Sequence, residues 1–156
     1  MPDHEKALVV VREWMEKAEN DFKNAAHTLK LGKECPTDTV CFHAQQCVEK
    51  YVKALLVFKG VDFPKTHDLE KLLSLLPAPI RLSLTVEEQG KLTDYATHAR
   101  YPGWGEISLT DARWAAQTAR RIRGEFRAIL SEKVVRRKGW RQGFMNLKNT
   151  EGNVKK

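Results

Sequence analysis

The sequence predicts an all-α fold, an antiparallel bundle of about five helices, and three observations carry that prediction. Apolar residues recur at steps of three or four through five segments, the period of an amphipathic helix. Glycine and proline fall between those segments and not within most of them. No stretch alternates apolar and polar residues as a half-buried strand would. Short turns between helices favour antiparallel neighbours, hence a bundle.

In the first segment, over 7–29, Val11, Trp14, Ala18, Phe22, Ala25 and Leu29 form one stripe. Gly32 and Cys35-Pro36 interrupt it, and Thr37, Asp38 and Thr39 are candidate N-caps for a second helix over about 40–59. That helix carries Val40, Cys41, Phe42, Ala44, Cys47, Val48, Tyr51, Val52, Leu55, Leu56 and Phe58, an arc too wide for one neighbour to cover, so it is expected at the centre. Gly60 and Pro64 end it. Thr66 is a candidate cap for a short third helix through Leu69, Leu72, Leu73 and Leu76, stopped by Pro77 and Pro79. Thr85 and Glu88 have the spacing of a capping box, opening a fourth helix through Leu92, Tyr95, Ala96 and Ala99 that closes at Pro102-Gly103. Ser108 or Thr110 opens the fifth, whose expected inner face is Ala112, Ala115, Ala116, Ala119, Ile122, Phe126 and Ile129.

A chain of 156 residues suits one domain with a real core. The composition, 42% hydrophobic and 30% charged, is that of a globular protein and excludes a disordered or membrane-embedded class. The net charge of +7 is unevenly placed: residues 133–156 hold eight Lys/Arg and one acid, so the remainder is balanced. We therefore read a helical bundle over 1–132 and a basic, flexible tail over 133–156. No apolar run approaches the ~20 residues that span a bilayer, and Met1-Pro2-Asp3-His4-Glu5 lacks a signal-peptide layout. A cytoplasmic protein without a membrane partner is expected. Cys35, Cys41 and Cys47 are odd in number and lack a CxxC pair, which favours reduced, buried thiols over a disulfide or zinc site. Phosphate-loop, HExxH, GxSxG and dinucleotide motifs are missing, so no cofactor and no metal are expected.

The most informative polar pattern lies on the second helix. His43, Gln46, Lys50 and Lys53 fall within an arc of roughly 80° at 100° per residue. Such a strip can present donors to phosphate, or it can be a solvated face. At the end of the fourth helix, His98, Arg100 and Tyr101 surround a helix break, where arginine can meet phosphate and the ring can stack on a base. Arg100 can equally cap its own helix. His67 stands beside Asp68 at a helix start and either transfers protons or packs. Arg113, Arg120 and Arg127, with Arg121 and Arg123, give the fifth helix a basic face expected to be solvated. In the tail, Trp140 and Phe144 interleave with lysine and arginine, a composition suited to RNA or to a partner protein.

The stretch from Phe42 to Leu56 (FHAQQCVEKYVKALL), followed by Gly60, Thr66-His67-Asp68-Leu69 and Arg100-Tyr101-Pro102-Gly103, resembles HEPN-domain proteins over nearly all of residues 7–131. The resemblance implies a four-helix up-and-down core and a homodimer, often encoded beside a minimal nucleotidyltransferase as a toxin–antitoxin pair. Many such proteins cleave RNA with an arginine followed four to six residues later by histidine. His4, His27, His43, His67 and His98 have no arginine at that spacing. The resemblance then implies a nucleotide- or RNA-binding module of little or no catalytic activity, with His43, Gln46, Lys50, Lys53, His67, Arg100 and Tyr101 as ligand contacts. The rivals are a metal-independent RNA endonuclease toxin, using His43 or His98 with Arg100, and a purely structural partner subunit.

Overall fold

The computed structural model describes the backbone of residues 3–134 and the side chains of residues 3–130. Among these residues there are five α-helices and no strand: α1 (Asp3–Leu29), α2 (Thr37–Phe58), α3 (Leu69–Ser74), α4 (Val86–Thr97) and α5 (Leu109–Val134). Among the described residues no helix is long and apolar enough to cross a membrane. Of the basic segment over 133–156, only residues 133 and 134 are described, as the end of α5; the remainder of that expectation lies outside the described residues.

The helix ends follow from local chemistry; two N-caps differ from the sequence reading, and α3 and α4 stop at Ser74 and Thr97, short of the expected Leu76 and Ala99. The Thr85–Glu88 capping box forms in full, which secures α4 although Gly90 weakens its interior. The Ser108 hydroxyl accepts from the Asp111 N–H and so opens α5. For α3 the cap is Asp68, whose carboxylate accepts from the Lys71 N–H; Thr66 instead bonds the Asp68 N–H. No side chain caps α2, because Pro36 occupies that position and the Thr37 hydroxyl donates to the Ile107 carbonyl at 2.8 Å. Where α2 stops, Gly60 (φ 68°) takes the left-handed conformation. Gly60 N–H and Val61 N–H then bond the Val57 and Leu56 carbonyls, the paired closure that lets the chain leave without orphaned acceptors.

The α2 helix touches each of the other four helices, with its broadest contacts on α1 and α5. Its residues Val40, Cys41, Ala44, Cys47, Val48, Tyr51, Val52, Leu55 and Leu56 are all buried. Contacts between Asp21 and His43, and between Trp14 and Lys53, show α1 and α2 running antiparallel. By contrast, Thr37 bonds Ile107 while the Tyr51 ring packs at a tilt against Phe126, centroids 4.5 Å apart, so α2 and α5 run parallel across the bundle. Ala112, Ala115 and Ala119 on α5 are fully buried, and their small side chains permit that close approach. Leu130 lies in the core in place of Ile129, and Ala116 is only half-buried.

One ionic knot joins three helices inside this core. Glu19 of α1 is bound by Arg123 of α5 through Nε at 2.5 Å and a second nitrogen at 2.9 Å, by the Tyr51 hydroxyl of α2, and by Arg127 at 3.8 Å. Arg123 is therefore buried, which corrects the expectation of a wholly solvated basic face on α5. Burial by itself raises a carboxylate pKa, but the hydrogen bonds from Arg123 and Tyr51 and the two guanidinium charges outweigh it, so Glu19 titrates below its ordinary value. Burial also pushes the Cys41 thiol up to about 12 and Cys47 well above its usual value, leaving both as unreactive thiols.

Removing one member of such a knot strands a buried charge. Arg123→Met is expected to lower the unfolding free energy by about 3 kcal/mol or more, seen as a reduced urea midpoint; an unchanged midpoint would contradict the assignment. Because Glu19 has a lowered folded-state pKa, its contribution is complete above the unfolded value of about 4.3. It is lost as pH falls through the folded value. Thermal stability of the wild type should therefore drop steeply below about pH 4, and less steeply in Glu19→Gln.

Candidate functional site

The polar strip of α2 is built as the helical spacing predicts, but two carboxylates occupy it. Asp21 of α1 accepts from His43 Nδ1 at 2.8 Å and from Lys50 Nζ. Glu49, on α2 itself and only 2% exposed, accepts from Gln46 Nε2 at 3.2 Å and from His67 Nδ1 at 2.8 Å, with Lys53 Nζ at 3.8 Å. Gln46 and Lys53 are buried, and the Lys53 ammonium lies 5.4 Å from the Trp14 ring and 5.9 Å from the Phe63 ring. The strip is therefore not an open cationic surface: its charges are matched internally, since an unmatched charge would be costly at that depth. His67 is the exception in exposure, with 58% of its side chain in solvent.

A different arrangement surrounds the break between α4 and α5. Gly103 (φ 94°) and Gly105 (φ 101°) bracket Trp104 in left-handed conformations that other residues adopt reluctantly. That reversal brings the Trp104 ring back over His98, with centroids 5.6 Å apart and planes within 15°. His98 Nδ1 meets the Thr97 hydroxyl at 2.9 Å and Asp94 at 3.5 Å. Arg100 lies over Phe42 of α2, its guanidinium carbon 4.4 Å from the ring centroid, and among the described residues it has no carboxylate partner. Tyr101 and Trp104 are 64% and 46% exposed, the largest aromatic surface left open on the described part of the molecule.

Arg100 and Tyr101, with the two glycines but not Trp104 or His98, border an open cleft of about 870 Å³ between the α1–α2 connection and the α4–α5 connection. Lys33, Pro36, Thr37 and Asp38 line it from the α1–α2 side, and Arg100, Tyr101, Pro102, Glu106 and Ile107 from the α4–α5 side. The bond from Thr37 to Ile107 joins the two sides. Among the described residues two cations, Lys33 and Arg100, and two acids, Asp38 and Glu106, face the cleft, so its charge is balanced, and Tyr101 is its aromatic side chain. Such a cleft can stack a planar ring while a guanidinium meets an anionic or carbonyl oxygen. Among the described residues no group of three or more His, Cys, Asp or Glu is placed to share a metal ion.

The structure thus divides the residues singled out from the sequence into two groups. His43, Gln46, Lys50, Lys53 and His67 are tied to Asp21 and Glu49, while Arg100 and Tyr101 stand together at the turn with His98. Sequence reasoning missed Asp21, Glu19, Trp104 and Phe42. The two acids were detectable: Glu19 falls between Met15 and Phe22, and Asp21 between Ala18 and Ala25, each at the three–four spacing of the buried stripe.

A family model described as HEPN domain matches residues 11–129. Among solved structures, the chain is similar to the crystal structure of TT1696 from Thermus thermophilus, with a TM-score of 0.63 and 27% sequence identity. That alignment covers 76% of this chain and 96% of the other. No curated protein matches.

The matched strip has a measurable consequence. Asp21→Asn removes the anion shared by His43 and Lys50, both partly exposed, and is expected to cost about 1–2 kcal/mol of stability. Urea denaturation checks this; a midpoint equal to that of the wild type would mean that the strip does not depend on Asp21.

Proposed function

The chain belongs to the HEPN domain family, and from that membership we propose that it is a binding module for nucleotide or single-stranded RNA, working through the α4–α5 turn. The observation that carries this reading is the exposed aromatic pair, Tyr101 and Trp104, beside an Arg100 that has no carboxylate partner among the described residues. Unpaired bases stack on tyrosine and tryptophan, and arginine meets phosphate or base edges. In this proposal His43, Gln46, Lys50 and Lys53 hold α1, α2 and the start of α3 in register, supporting the turn without touching ligand. The homodimer and the minimal nucleotidyltransferase partner implied by the resemblance, with the toxin–antitoxin role, belong to the same proposal.

A second reading, the metal-independent RNA endonuclease, is favoured by one observation. His98 is exposed two residues before Arg100, so an imidazole and a guanidinium share the turn where RNA would lie.

Fluorescence anisotropy with a short single-stranded oligouridylate tests the binding reading. Trp104→Ala and Tyr101→Ala should each weaken binding about 5-fold or more, the effect of losing one stacked base. Arg100→Ala should weaken it further. With Lys33 and Arg100 the only cations facing the cleft among the described residues, the slope of log affinity against log salt should be about −1.4. Affinity unchanged in all three variants, or a slope several times steeper, would contradict the turn as the binding surface. Cleavage of the oligonucleotide that disappears in His98→Ala would favour the endonuclease.

A further inference from the structure

Two rows of exposed cations lead out of the cleft along the joint between α1 and α5. On α5, Leu109 lines the cleft, and Arg113 and Arg120 fall within about 40° of it at 100° per residue, so the three share one face. On α1, Glu19 faces Arg123 of α5, and Lys23, one turn on, lies within about 40° of Glu19. Lys30 follows directly after the last residue of α1, and Lys33, three residues further, lines the cleft. The two rows run side by side. Glu19 meets Arg123, and the Phe22 ring lies 5.4 Å from the Arg120 guanidinium carbon, so the chain beyond Phe22 passes the α5 residues from Arg120 back toward Leu109.

The charge along this joint is one-sided. No Asp or Glu occurs in residues 22–33 or 112–124. Just outside those stretches, Glu19 and Asp21 are buried against partners of their own, and Glu34 is the next carboxylate along the chain. The α5 acids Asp111 and Glu125 lie on the opposite side of the helix, bound to Lys91 and Ser83. Lys23, Lys30, Arg113 and Arg120 are all exposed, and among the described residues none has a carboxylate partner. A helical cation gains a few tenths of a kcal/mol from an acid three or four residues away and loses as much beside a like charge. The fold therefore gains nothing from gathering these four. Cations spaced along an open path are what a phosphate backbone requires.

We propose that the ligand of this module is a single strand of several nucleotides and not a mononucleotide: its bases engage the α4–α5 turn, and the phosphates that follow run along the α1–α5 joint between Arg113 and Arg120 on one side and Lys23 and Lys30 on the other. This rests on the α4–α5 turn as the binding surface. From Leu109 to Arg120 the path covers about 16 Å of helix, several times the ~3.4 Å between successive charges on one strand of a duplex.

The test measures binding of a labelled uridine trinucleotide and of a twelve-nucleotide oligouridylate to the full-length protein over a series of salt concentrations. Each phosphate contact on a single strand contributes about −0.7 to the slope of log affinity against log salt. The trinucleotide should keep the cleft's slope of about −1.4, and the dodecamer should approach about −4 as four further contacts form. Arg113→Gln with Arg120→Gln should make the dodecamer slope shallower by about 1.4 and weaken its binding several-fold while leaving the trinucleotide unchanged. Lys23→Gln with Lys30→Gln should do the same, and decides the matter if the arginine pair does not fold. Equal slopes for the two lengths overturn the path and leave the turn standing. A dodecamer slope that stays steep in both double variants does so too, and places the added contacts elsewhere, the basic segment after Val134 included. Binding of both lengths that is indifferent to Arg100→Ala, Tyr101→Ala and Trp104→Ala removes the turn reading and the path together.

Discussion

The structure depends on three buried carboxylates, Glu19, Asp21 and Glu49, each of which must find donors within the fold. Taking an ionised carboxylate from water costs several kcal/mol even after relaxation. The bundle is therefore constrained to registers in which cations from other elements reach them. Glu19 draws Arg123 of α5 and Tyr51 of α2 to one point on α1; Asp21 takes His43 and Lys50; Glu49 takes Gln46, Lys53 and the residue before the Asp68 cap. Apolar stripes alone would leave helices free to slide by a turn. These pairings specify one alignment of α1, α2 and α5 and fix where α3 begins.

That constraint shapes where function can reside. Side chains committed to internal carboxylates cannot also neutralise an external phosphate without reopening the core, so the polar strip of the central helix serves the fold. Open chemistry is displaced to the α4–α5 turn. There glycines on either side of Trp104 permit a reversal, and Arg100 rests on Phe42 with its donors uncommitted to any described carboxylate. The proposed RNA contact is thus an aromatic surface with a guanidinium at its edge, supported from behind by α2.

Much of the fold was legible because helical periodicity and punctuation act locally. Val11, Ala18, Phe22 and Ala25 predicted the buried face of α1, and Thr85 with Glu88 predicted the start of α4 through a bond pattern contained within four residues. The site was less legible because it depends on partners distant in sequence. His43, Lys50 and Lys53 have the spacing of a phosphate-binding face, and nothing within α2 reveals that Asp21 lies opposite, 22 residues before His43. Similarly, Arg123 reads as a surface residue until α1 brings Glu19 against it, 104 residues away. Trp104 lies between two glycines outside every helical stripe, so no local pattern marks it, and its placement depends on the φ angles of Gly103 and Gly105.

The central claim is that ligand meets the turn and not the carboxylate-matched strip, and the four tryptophans of the chain report on both. Trp104 lies in the turn, Trp14 beside Lys53 at the strip, Trp114 against Lys91, and Trp140 in the basic segment. Following their indole N–H signals by NMR while a short oligouridylate is added separates the possibilities in one titration. The account predicts that the Trp104 signal moves first and furthest while Trp14 stays in place; a shift of Trp14 or Trp140 with Trp104 unmoved would contradict it.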